Sequence, residues 1–165
     1  MANRELNTIK LQIGGTLKDL RNDFGFVCTE GPSYTPLGKA KQLSSNMWFD
    51  EDGADTYIPR KMFVEAGGLK IPIGYQGARG SGKAVLKALV LWLLGRGGDE
   101  LTSEGIYLYS AFIDEGFRKV TFSEISEPEY HYLGDFELLE ATITFNIPDP
   151  LDNVTFDGGR FVVEQ

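Results

Sequence analysis

The chain has 165 residues, 24 acidic against 16 basic, for a formal charge of −8, and 42% of it is hydrophobic. That is enough to bury a real core and too apolar for a disordered chain, while the negative balance argues against unaided nucleic-acid binding, which needs clustered Lys and Arg. Cys28 is the only cysteine, which excludes an internal disulfide and a cysteine-built zinc site.

The opening stretch Met1-Ala2-Asn3-Arg4-Glu5-Leu6 lacks the apolar core of a signal peptide. Ile9, Leu11 and Ile13 then alternate with Thr8, Lys10 and Gln12, which predicts a first strand, and Phe24-Gly25-Phe26-Val27-Cys28 predicts a second. Residues 30–45, rich in Gly, Pro, Ser and Lys, read as a long loop. Met62, Val64 and Ala66 alternate before Gly67-Gly68, and Leu69, Ile71, Ile73 and Tyr75 alternate after it, so a hairpin is expected about the glycine pair. Pro72 weakens that reading, because proline cannot donate to a ladder.

The period changes once. From 82 to 94 nearly every residue is apolar, interrupted only by Lys83 and Lys87, with Ser81 placed to cap the start and Gly95 and Gly97 to stop the element. The pattern predicts a helix of about three turns, so apolar that it must be covered on several sides, by a curling sheet or a second subunit. The longest apolar run, 88–94, is too short to cross a bilayer.

Strands resume at 106–110 and 117–125, joined by the turn Asp114-Glu115-Gly116. Leu139, Ala141, Ile143, Phe145 and Ile147 form the cleanest alternation and end at Pro148-Asp149-Pro150; a last strand is expected around Phe161-Val162-Val163. The sum is a mainly β (α+β) chain with one domain over residues 1–165. It is expected to be an antiparallel β-sandwich or barrel-like domain with one packed α-helix at about 82–94.

Three groups of residues invite a chemical reading. Gly77-Ala78-Arg79-Gly80-Ser81-Gly82-Lys83-Ala84 follows a strand and opens a helix as a phosphate-cradling loop does, and Ala111-Phe112-Ile113-Asp114-Glu115 imitates its downstream carboxylate strand. Ala84, however, stands where Ser or Thr should hold magnesium, and a single helix cannot supply the crossovers of a parallel sheet. Glycines that let a strand bend into a helix are the better reading. The alternative, a nucleotide-binding protein using Gly77 to Lys83, predicts magnesium-dependent ATP or GTP binding lost in Lys83→Ala. Asp50-Glu51-Asp52-Gly53-Ala54-Asp55 lacks calcium-loop offsets and reads as a solvated acidic turn. His131, the only histidine, lies between Tyr130 and Tyr132; it cannot build a multi-histidine site, and no Gly-x-Ser-x-Gly nucleophile accompanies it. No enzyme activity, cofactor or metal is implied.

The aromatic residues, 11 Phe, 7 Tyr and 2 Trp, exceed what one small core needs. Both interface anchoring and plain strand propensity account for such a surplus.

The order of several landmarks resembles phage distal tail proteins and their tail-tube relatives, especially those of Bacteroidetes phages and prophages. The landmarks are Asp23-Phe24-Gly25-Phe26, then Asn46-Met47-Trp48-Phe49 with the acidic turn through Asp55, then Ile58-Pro59-Arg60-Lys61. Ile106-Tyr107-Leu108-Tyr109-Ser110 and Asn146-Ile147-Pro148-Asp149-Pro150 follow, so the resemblance covers about residues 7–150. It implies a β domain with one helix and an extended hairpin, forming a hexameric ring that docks other tail proteins and resides in the virion tail after assembly in the host cytoplasm. A tail terminator, tube or head–tail connector ring is the alternative within that class, and a small ligand-binding β domain with a deep apolar pocket is one outside it. Many distal tail proteins carry a second, carbohydrate-binding-like β domain, for which 165 residues leave no length, so no receptor role is carried over. No nucleic-acid or membrane partner is expected. The residues expected at subunit contacts are Trp48, Phe49, Arg79 and Trp92, together with the loop 30–45, because large aromatics and arginine are the usual anchors.

Overall fold

A computed structural model describes residues 9–32, 39–50, 52–157 and 159–163. The first ladder joins β1 (Ile9–Ile13) to β2 (Thr16–Asp19), and the short helix α1 (Leu20–Phe24) follows directly. Its cap is local chemistry: the Asp19 side chain accepts from the Arg21 N–H, and Gly25 ends the turn in the left-handed region at φ 78°. The second predicted strand therefore shrinks to β3 (Val27–Cys28), because Phe24 and Gly25 belong to the helix and its C-cap.

The central pair is β6 (Gly67–Ala78) with β10 (Phe136–Ile147), antiparallel along their whole length with Ile71 opposite Ile143. The expected hairpin at Gly67-Gly68 is not formed; both glycines extend the ladder, opposite Ile147 and Asn146. Pro72 fits this continuous strand because β3 pairs only with Gly74 and Ile73, so the proline nitrogen faces the place where the ladder ends. The Pro72 carbonyl still accepts from the Thr29 N–H at 3.2 Å.

Beyond β10 the sheet continues through β8 (Glu115–Ile125) and β7 (Ile106–Ser110) to β1 and β2. Along this path β8 changes partner: its start pairs with β7, its end with β10. Register shifts interrupt both ladders, and Lys119 sits at φ 57°, so β8 bends by bulges from one half of the sheet to the other. β9 (Glu129–Leu133) adds to β10, while β11 (Asn153–Asp157) adds to β8 and to β12 (Arg160–Val163), the expected last strand. The path β2-β1-β7-β8-β10-β6-β3 is open at both ends. The β-rich antiparallel class is as the alternation predicts, and no closed barrel forms among the described strands.

One face of this sheet is apolar, as period-two alternation requires. Ile9, Leu11, Ile13, Leu69, Ile71, Ile73, Leu139, Ile143 and Phe145 are all buried, each contributing about 1.5–3 kcal/mol relative to exposure. The helix α2 (Ser81–Leu93) lies against β6 and β10 and buries Leu86, Leu89, Trp92 and Leu93, the spacing of a single helical face. The opposite face, with Lys83, Ala84, Lys87 and Ala88, is exposed. The sheet thus covers the helix on one side only, and its outward apolar residues include small alanines, which favour helix whatever they touch. Ser81 is the first helical residue and not the cap, which is Gly80 at φ 91°.

Candidate functional site

Between β3 and β6 the chain leaves the sheet. Ala40 bridges Val64, the Lys41 N–H donates to the Phe63 carbonyl at 2.8 Å, and β4 (Ser45–Asn46) pairs with β5 (Asp55–Thr56). These contacts zip residues 39–46 against 55–65 as a two-stranded arm whose tip is 47–54. The strand expected around Met62 to Ala66 is one of its legs, held by a single bridge. Of the loop 30–45, residues 33–38 lie outside the described residues.

No described residue of the arm from 39 to 66 is buried. Yet Met47, Trp48, Phe49, Tyr57, Ile58, Met62 and Phe63 all project from it, each more than half exposed. Water alone does not hold a two-stranded ribbon, and apolar side chains gathered on one exposed element mark an interaction surface. Trp48 is 54% exposed, and its indole Nε1 donates to Asp55 Oδ2 at 3.1 Å, fixing the ring across the acidic turn. Asp55 is therefore a hydrogen-bond acceptor within the turn. Glu51 of that acidic run lies outside the described residues.

Arg79 is exposed at the bend from β6 into α2, where its N–H donates to the Asp135 carbonyl at 2.8 Å. Its guanidinium lies over the Tyr132 ring, 4.5 Å from the centroid. Leu133 and Phe136, both exposed, flank the turn between β9 and β10, so this end of the sheet carries a second apolar patch with one cation. Period-two reading missed it because β9 has no buried residue and hence no alternation of burial to betray it.

Trp92 is corrected as an interface residue. It is 1% exposed, its ring packs 6.0 Å from that of Phe24, and its Nε1 donates to Asp99 Oδ2 at 2.9 Å. A side chain enclosed by its own fold offers nothing to a partner. Cys28 is likewise inward: burial, with the Asp19 carboxylate nearby, pushes its thiol up to about 12.

The glycine-rich bend has its own explanation. The Gly82 N–H donates to Glu137 Oε1 at 2.6 Å, and Glu137 is 2% exposed. The start of α2, which a phosphate would need, is thus taken by a side chain from β10. A Cβ on Gly82 would lie 2.8 Å from that oxygen, so glycine is required for the approach. The strands around it are antiparallel, without the parallel crossovers of a phosphate-binding fold. The turn that imitated a carboxylate strand is the β7–β8 connection, where Asp114 at φ 50° accepts from the Tyr109 hydroxyl at 2.7 Å.

His131 lies on β9. Its Nε2 is 3.8 Å from Glu140 Oε2 and 4.0 Å from Glu129 Oε2. No helix among the described residues is long and apolar enough to cross a membrane.

No protein-family model and no curated protein sequence matches the chain. Among solved structures, the fold is similar to that of the SPP1 Dit protein, described as a paradigm of the hub of the adsorption apparatus in phages that infect Gram-positive bacteria. The TM-score is 0.59 at 13% identity, over 90% of this chain and 52% of that one. The chain therefore spans about half the length of that protein, and the likeness is one of fold.

Proposed function

We propose that the chain is a structural subunit of a phage or prophage tail, of the distal-tail or baseplate-adaptor kind, that acts by assembling with copies of itself into a ring and docking its tail neighbours. The observation that carries this reading is the arm at 39–66, none of whose described residues is buried and which exposes seven large apolar side chains. Such a ribbon gains order when a neighbouring surface covers it, and Trp48 and Phe49 at its tip are the anchors. The patch of Arg79, Tyr132, Leu133 and Phe136 is the second contact surface. The shared fold with a protein described as a hub supports the same role, while the Bacteroidetes-type affinity rests on the sequence landmarks alone. One domain over residues 1–165 suffices for it. The working place is the virion tail, and the work is binding, not catalysis.

Light scattering with negative-stain microscopy tests this. The expected result is a ring-shaped oligomer, sixfold by the family resemblance, or a monomer that forms rings once mixed with tail-tube or baseplate proteins encoded beside it. A chain that stays monomeric alone and with those proteins overturns the reading. A tube, terminator or connector role would appear as stacked rings or as docking to the opposite end of the tail.

A further inference from the structure

We propose that Glu129, His131 and Glu140 form a divalent transition-metal site on the β9–β10 ladder. Glu129 and His131 are two apart on one strand and so project from the same face, and Glu140 stands directly opposite Glu129 in the register. One donor atom from each lies within 4.8 Å of the other two. A tetrahedral ion with bonds near 2.0–2.2 Å sets its ligand atoms about 3.4 Å apart; the imidazole nitrogen already stands 3.8 and 4.0 Å from the two carboxylate oxygens. Small rotations of exposed side chains close the difference.

Charge supplies the second argument. Like charges placed directly opposite on paired strands are destabilising, and the register sets two glutamates face to face. A divalent cation bound by both carboxylates and a neutral imidazole makes a neutral cluster. Glu30 and Glu127 line the adjoining cleft of about 620 Å³ with Glu129 and Glu140, so the local field draws cations in. One nitrogen and two carboxylate oxygens suit zinc, manganese or cobalt, with open positions left for water. The ion would clamp β9, which among the described strands pairs only with β10, onto the sheet.

Calorimetric titration of the untagged full chain with zinc chloride tests the site, since His131 is the only histidine. One saturable zinc per chain is expected, reversed by a chelator. Loss of a group that only hydrogen-bonds to a metal ligand costs about 10–100-fold in metal affinity, so His131→Ala and Glu140→Gln, as direct ligands, should each weaken binding at least about tenfold. Glu100→Gln, an exposed carboxylate outside both the cluster and the cleft, should bind within about threefold of the unmodified chain. Circular dichroism establishes that each variant is folded, and His131, Glu140 and Glu100 are all exposed, so folding is expected to survive. Absence of saturable binding overturns the proposal, as does a His131→Ala chain that loses less than tenfold.

Discussion

The carboxylate of Glu137 receives the backbone N–H of Gly82 at 2.6 Å inside the fold, joining β10 to the first turn of α2. This contact decides between two readings of one stretch of sequence, because the helix start that would cradle a phosphate is already satisfied from within. Glu137→Ala leaves that N–H without a partner where water does not reach. The expected cost is about 2 kcal/mol, or a fall in Tm of about 4–8 °C for a chain of this size. Lys83→Ala, on the exposed face, should change stability by less than about 0.5 kcal/mol. Thermal melts measure both, and a titration with magnesium ATP should give no saturable binding in any of the three chains.

Trp92 and Asp99 make a second test, of stability and of its pH dependence. Truncating Trp92 to Ala removes a core ring and should cost about 3–5 kcal/mol, measured by urea unfolding. Asp99 is held below its usual 3.8 first by the hydrogen bond from Trp92, then by that from Thr16. A carboxylate whose folded pKa is depressed binds fewer protons folded than unfolded. Its stabilisation is therefore present above the unfolded value and lost as pH falls through the folded one. The difference in Tm between the unmodified chain and Asp99→Asn should be constant from neutral pH down to about pH 5 and shrink below about pH 4.

The Arg79–Tyr132 stack separates a contribution to the fold from one to assembly. Removing an exposed guanidinium from an aromatic face costs about 0.5–1 kcal/mol, so Arg79→Ala should lower monomer stability by no more than that. An arginine anchor covered by a partner is worth about 2 kcal/mol or more on truncation. Dilution of the assembled form, followed by light scattering, should therefore show a larger loss than denaturation of the monomer.

The elements legible in the sequence were those with a buried face. β1, β10 and the body of α2 carry their apolar residues at strand or helix spacing because a core selects for it. Where the selecting force was something else, the pattern misled. Gly67-Gly68 reads as a turn by composition, but the long pairing of β6 with β10 runs through it. Trp92 reads as an anchor by residue type, and only the packing of Phe24 and the acceptor at Asp99 make it core. Exposed β9 leaves no alternation of burial at all. The bend at Gly80 and Gly82 was rightly read as structural, but its cause, Glu137, lies 55 residues away along the chain and no local motif announces it.

Trp48 puts the assembly reading at greatest risk. Its ring is half exposed on an arm with no buried residue among those described, and its indole N–H bonds to Asp55 within the arm itself. A side chain so placed contributes little to the fold of the isolated chain, so Trp48→Ala should shift monomer stability by less than about 0.5 kcal/mol. At an interface a truncated tryptophan anchor costs about 2 kcal/mol or more, which raises the concentration needed for half-assembly by about thirtyfold. Phe49→Ala should act in the same direction, and the double variant should lose less than the sum, because neighbouring anchors share one contact region. Thermal melts of the monomer and the concentration dependence of light scattering measure the two quantities. A fall in Tm with assembly unchanged would make Trp48 a structural residue of the arm and remove the tip from the contact surface.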